Sequence, residues 1–182
     1  MNIPKALMSE VLEEAKIVKK ILIISDDFDP HSFETLKELL KDGNYFYSES
    51  SNCFSFEADL VEDFEDIRDI AYLRKYDAFL IDYGIVGDDK DNLDMIKDMT
   101  KSGIVIWCGG LNGHYSEDCK RLFPDRKYMH NLKECSIGAS DIKIALYGGF
   151  NLGVAHSDFT EKALDILYNK LNNKESLKNG QK

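Results

Sequence analysis

Two kinds of apolar pattern alternate along the chain. Over residues 4–18, Leu7, Val11, Leu12, Ala15 and Val18 recur at helical spacing behind Pro4, which predicts an amphipathic helix. Residues 20–25 then read KILIIS, a short apolar run with no polar alternation, which predicts a buried strand. A helix over 31–41 follows, with Phe33, Leu36, Leu39 and Leu40 on one face and Asp42-Gly43 as its stop. Residues 44–56 mix aromatics with Ser and Asn and suggest an extended piece around a loop. A second strand is predicted over 56–63 (FEADLVED), a helix over 64–74, and a third strand in YDAFLIDYG from Tyr76. The Gly/Asp-rich loop GIVGDDKDN leads into a helix over 93–100, stopped by Ser102-Gly103, and GIVIWCGG (103–110) is a fourth strand. Beyond it the pattern predicts a helix over 116–123, a fifth strand over 126–132, a helix over 141–148, a glycine-rich break over 150–153 and a last helix over 157–171. The polar tail NNKESLKNGQK is expected to fray.

Strands that are apolar on both faces and alternate with helices predict an α/β fold, a doubly wound five-stranded parallel sheet covered on each side. The 182 residues suit one such domain. Residues 20–150 form its body, 1–19 add an N-terminal helix, and 151–182 add a C-terminal helix and tail. The flanking helices, with their apolar stripes, either cover the body or form the seam of a homodimer.

Charge narrows the partners. The formal net charge of −10 argues against nucleic acid and against an anionic membrane surface. No apolar run approaches the roughly 20 residues that span a bilayer. Acidic residues interrupt the N-terminal stretch where a secretion signal needs an apolar core, so a cytoplasmic protein is expected. Cys53, Cys108, Cys119 and Cys135 show no metal-site spacing, which fits reduced thiols.

The candidate chemistry gathers at the strand ends, where ligands sit in parallel α/β sheets. Strand one ends in Asp26, Asp27 and Asp29, strand two in Glu62 and Asp63, strand three in Asp82, strand four in Cys108, Gly109 and Gly110, and strand five near Lys133. Carboxylates on one rim repel unless a cation joins them. An oxygen-only set with waters suits Mg²⁺, and a lysine on that rim suits a phosphate oxygen. The bland alternative is that loops of an acidic protein are acidic. That alternative suffices for one Asp, but less well for Asp26, Asp27, Asp82 and Lys133 together at strand tips. His31 and His114 fall just beyond strand tips and are read mainly as surface histidines. Trp107 reads as core, and Asp29 with Pro30 as the cap of a helix.

From about residue 20 to 150 the chain resembles the receiver domain of bacterial and archaeal response regulators, which has flavodoxin-like topology. ILIISDDF resembles that family's first strand with its acidic pair. YDAFLIDYGIVGDDKDNLDMIKDM resembles the third strand with its phosphorylated aspartate, IVIWCGG the fourth strand, and KYMHNLKE the fifth strand with its lysine. The resemblance implies Mg²⁺ held by Asp26 and Asp27, Asp82 as the nucleophile that takes a phosphoryl group from a phosphohistidine, a metal-shell carbonyl at Gly84, and Lys133 on the phosphoryl oxygen. It implies a histidine kinase or phosphotransfer protein as donor, a protein effector as reader, and a phosphoacceptor rather than an enzyme that turns over substrate. Three departures stand out. Cys108 replaces the switch hydroxyl and is a weak donor, the aromatic switch position falls at His130, and Glu134 follows the lysine where the family has proline.

Two other readings compete. One is a pseudo-receiver, a protein-interaction module on the same fold whose acids are remnants. The other is a phosphatase of the haloacid-dehalogenase class, suggested by Asp27-Phe28-Asp29 and by VGDDKDNLDMI (86–96). Against it, Pro30 follows the acidic pair where that class has Thr or Gly, and the acidic loop comes early. Nothing after residue 150 is long or basic enough for a helix-turn-helix output domain.

Overall fold

A computed structural model describes residues 3–41, 53–67, 69–86, 89–108, 129–131, 142–143, 146, 150 and 152–179. The elements in chain order are α1 (Lys5–Ala15), β1 (Ile17–Ile24), α2 (Pro30–Lys41), β2 (Phe54–Val61), a short 3₁₀ turn at Phe64–Asp66, α3 (Ile70–Leu73), β3 (Ala78–Asp82), a second 3₁₀ turn at Tyr83–Ile85, α4 (Lys90–Ser102), β4 (Ile104–Cys108), β5 (Met129–Asn131) and α5 (Leu152–Asn179). All strand pairings are parallel, in the order β2-β1-β3-β4-β5. Four strands of five to eight residues carry the sheet, and β5 adds three residues at one edge. This order is compatible with a flavodoxin-like fold.

The strand alternation explains both covered faces. Ile21 and Ile23 of β1 point to one side with Ala78, Leu80, Ile104 and Ile106, where they pack under Leu36 and Leu40 of α2 and under Ile142, Leu146 and Ala155. Leu22 and Ile24 point to the other with Phe79, Ile81 and Val105, under Leu73, Ile96 and Met99. Every residue of β3 is buried, so this strand is apolar on both faces until Asp82. An aromatic cluster of Phe54, Phe56 and Phe150, with ring centroids 5.5 to 6.4 Å apart, ties the chain after the sheet back to β2.

Several boundaries move. The first helix stops at Ala15 and β1 begins at Ile17, so Ile17 and Val18 belong to a strand. Val18 satisfies a helical spacing on paper, but here Ile17 and Val18, both β-branched, pair with Phe54 and Ser55 of β2. The helix expected over 64–74 is a 3₁₀ turn followed by the short α3. Asp63 and Asp69 each cap their own start, accepting from Glu65 and Asp66 N–H in one case and from Ala71 N–H in the other. α4 begins at Lys90 behind its cap Asp89, whose carboxylate accepts from Asp91 N–H at 2.7 Å. α5 is longer at both ends than its apolar pattern. It takes in Gly153, expected in a break, and runs through the polar tail to Asn179, because extending an existing helix costs little per residue where Asn, Lys, Glu and Leu follow. Of the segment expected as an extended piece around a loop over 44–56, residues 54–56 open β2, while 44–52 lie outside the described residues, as do the helix over 116–123 and His114.

The flanking helices find each other. Leu7, Val11 and Ala15 of α1 pack with Ala163 of α5, with Ile3, Phe159, Ile166, Leu167 and Leu171 around them. Lys170 adds ion pairs to Glu10 at 2.7 Å and Glu14 at 2.8 Å. Exposed pairs of this kind contribute little, so the apolar seam carries the contact.

Candidate functional site

The register of the sheet places the acids. Ile24 pairs with Val61 on one side and Ile81 on the other, so the ends of β1, β2 and β3 share one rim. β1 and β3 are adjacent although β2 lies between them in sequence, which makes their C-terminal ends the switch point of the fold. Asp82 is the last residue of β3 and pairs in register with Cys108 at the end of β4. The chain leaves β1 through Ser25 into Asp26 and Asp27.

These three aspartates come together. A carboxylate oxygen from each of Asp26, Asp27 and Asp82 lies within 4.8 Å of the others, the first two exposed and Asp82 buried at 8% exposure. Gly84 N–H donates to Asp82 Oδ1 at 2.8 Å. A Cβ on Gly84 would stand 3.3 Å from that same oxygen, so the absence of a side chain lets the backbone close over the carboxylate. Burial pushes the Asp82 carboxyl above the usual carboxylate range. The Gly84 N–H opposes this, and the neighbouring Asp27 and then Asp26 push it up further.

These three residues could hold a hard cation. Their donors are all carboxylate oxygens on two neighbouring strand ends, with two exposed members open to water, and that donor chemistry fits Mg²⁺. Gly84 lies against Asp82 through its N–H. Cys108 is brought level with Asp82 by the sheet. Lys133 lies outside the described residues, as do Asp88, Gly109 and Gly110.

Asp29 and Asp63, also at strand ends, serve local structure. Asp29 caps α2: its Oδ1 accepts from His31 N–H at 2.9 Å and Ser32 N–H at 3.0 Å, and Ser32 Oγ donates to Oδ2. This matches the capping role read from the sequence and leaves Asp27-Phe28-Asp29 without a free second carboxylate. The Ser32 hydroxyl, then the Ser32 and His31 N–H groups, hold the Asp29 carboxyl below its ordinary value against a small opposing effect of burial. The cap therefore stabilises the protein above the ordinary aspartate range and is lost as pH falls through the depressed value. Asp29→Ala is expected to lower the melting temperature at pH 7 and to lower it less in strong acid, where the charge-dependent part of the cap is gone, as thermal melts of both proteins across pH will show.

One participant was not singled out from the sequence. Ser25 is fully buried, and its Oγ accepts from Asp27 N–H at 3.2 Å. The available signal was a hydroxyl closing an apolar run immediately before two acids.

Fold and site together define a parallel α/β protein with a carboxylate cluster at the switch point of its sheet. No protein-family model matches the chain, and no curated protein matches it. Among solved structures it is similar to one described as a "putative pilus assembly-related protein" from Burkholderia pseudomallei, with a TM-score of 0.47 and 13% identity, covering 87% of this chain and 96% of that one. That degree of likeness carries no argument about function. Among the described residues, no helix is long and apolar enough to cross a membrane.

Proposed function

We propose that this chain is an atypical stand-alone receiver that accepts a phosphoryl group on Asp82 in a Mg²⁺-dependent reaction and signals through a protein effector. The observation that carries the reading is the convergence of Asp26, Asp27 and Asp82 at the β1/β3 switch point. In this reading Asp26, Asp27, Asp82 and the Gly84 carbonyl would hold Mg²⁺, which would supply charge neutralisation for the phosphoryl oxygens, and Lys133 would pair with one of them. An Asp82 carboxylate oxygen attacks phosphorus, and the P–N bond of a phosphohistidine breaks. The electron pair stays on the imidazole nitrogen, and an acyl phosphate forms on Asp82. A carboxylate is a weak nucleophile, so positioning and charge neutralisation supply most of the acceleration. The donor is a histidine kinase or phosphotransfer protein.

A second reading is the pseudo-receiver, favoured by Cys108. Where the sheet sets this residue beside Asp82, a thiol is a weaker hydrogen-bond partner for a phosphoryl group than a hydroxyl. One experiment separates the two. The protein is incubated with acetyl phosphate and Mg²⁺, and intact mass is measured before and after hydroxylamine. The receiver reading expects a gain of one phosphoryl group that hydroxylamine removes and that EDTA prevents. A protein that gains none while staying folded overturns it and leaves the interaction module.

A further inference from the structure

We infer that Ser25 is a positioning residue that holds the Asp26-Asp27 turn against Asp82. Its place, immediately after β1, is unusual for a polar side chain. The four residues before it, Ile21 to Ile24, are fully buried and apolar, and Ser25 is as buried as they are. A buried hydroxyl is costly unless it is bonded. Here its oxygen accepts from Asp27 N–H at 3.2 Å. Its own backbone N–H donates to Val61 O at 3.0 Å, which anchors the residue to β2. Ser25 is thus fixed to the sheet at one end and to the acid turn at the other.

The consequence concerns two exposed side chains. The exposed carboxylates of Asp26 and Asp27 stand within 4.8 Å of the buried one of Asp82, and like charges that close favour swinging the turn outward. The Ser25 link to Asp27 opposes that motion. It keeps the three carboxylates within reach of a common cation before any cation arrives, which lowers the cost of assembling the site when one binds.

A metal-free double-mutant comparison tests the inference, and a Mg²⁺ titration extends it to the proposed function, on which only that second arm rests. Asp82→Asn removes the central charge of the cluster, so its effect on the melting temperature in EDTA reports how closely the acids are held. The rise it causes is expected to be clearly smaller in the Ser25→Ala and Ser25→Cys backgrounds than in the wild-type background. It is expected to be restored with Ser25→Thr, which keeps a hydroxyl acceptor. Cysteine matches serine in shape and accepts weakly, so it decides the matter if Ser25→Ala does not fold. An equal rise in the wild-type and Ser25→Cys backgrounds overturns the inference, because a merely structural serine shifts both melts together and leaves their difference unchanged. In the second arm, Ser25→Ala is expected to weaken Mg²⁺ binding by roughly ten-fold, the scale typical of residues that orient metal ligands, and Ser25→Thr is expected to recover it. A wild-type protein that binds no Mg²⁺ refutes the proposed receiver, while the metal-free arm still decides the role of Ser25.

Discussion

Asp82→Asn is expected to abolish the phosphoryl transfer proposed above and, in the same protein without metal, to raise the melting temperature. The two effects have one cause. Asp82 is 8% exposed and faces Asp27 and Asp26 across the rim. Burial first, and the two neighbouring carboxylates after it, raise its pKa from the ordinary 3.8. The sign follows from proton linkage. Where the folded pKa is raised, the folded state binds the proton more tightly than the unfolded one, so stability falls as pH climbs through the interval between the two values. Below the ordinary aspartate range both states are protonated and Asp82 costs nothing. Above the raised value the full cost is present. Asparagine keeps the oxygen that accepts from Gly84 N–H and removes the charge. A rise in the melting midpoint is expected at neutral pH, and it should vanish in acid. Thermal melts of the two proteins in EDTA from pH 3 to 8 test it; a lower or unchanged midpoint for Asp82→Asn at neutral pH would remove the case for a strained cluster. Saturating Mg²⁺ should reverse the ranking, because a cation stabilises only the protein with the complete carboxylate set.

Gly103→Ala is the second large effect, and it falls on stability. Gly103 ends α4 and turns the chain into β4, with its N–H donating to Met99 O at 2.9 Å. A Cβ here would stand 2.4 Å from the carbonyl oxygen of Asp77 and 2.7 Å from its carbonyl carbon, both backbone atoms. No rotamer change relieves such a contact, so the start of β4 must move. Asp77 has little freedom to yield. Its N–H donates to Lys20 O at 2.8 Å, its O accepts from Ile104 N–H at 3.1 Å, and its carboxylate accepts from Lys20 N–H and from Lys19 Nζ, each at 2.9 Å. The residue staples β1, β3 and β4 at the rim opposite the acids. A cost of roughly 2–4 kcal/mol is expected, in the upper range for overpacking against a site that cannot relax. Urea denaturation of the variant checks it, and a midpoint within error of wild type would show that the crossing is looser than this geometry.

The layered α/β class was legible in the sequence because burial on both faces of a strand demands an unbroken apolar run. KILIIS, DAFLI and IVIW are such runs. Asp29 as a helix cap was legible too, since the residue types that satisfy free N–H groups at a helix start are few. Ends of elements were less legible. Val18 fits a helical stripe and a strand equally well until Ser55 lies beside it.

The candidate site divides along the same line. Sequence alone determined that acids follow apolar strands, because that pattern is local and each strand writes its own part of it. Which acids share a rim was decided by tertiary structure. The β1/β3 adjacency brings Asp82 to Asp26 and Asp27, while helix and turn starts claim Asp29, Asp63 and Asp89. No one-dimensional pattern separates these groups, since a capping aspartate and a clustered one are the same residue until backbone N–H groups reach one of them. Ser25 is the sharpest case. As a letter it is a polar residue after ILII, and only the packed sheet makes it a buried hydroxyl joined to Asp27, because burial is a property of what the rest of the chain places around a position.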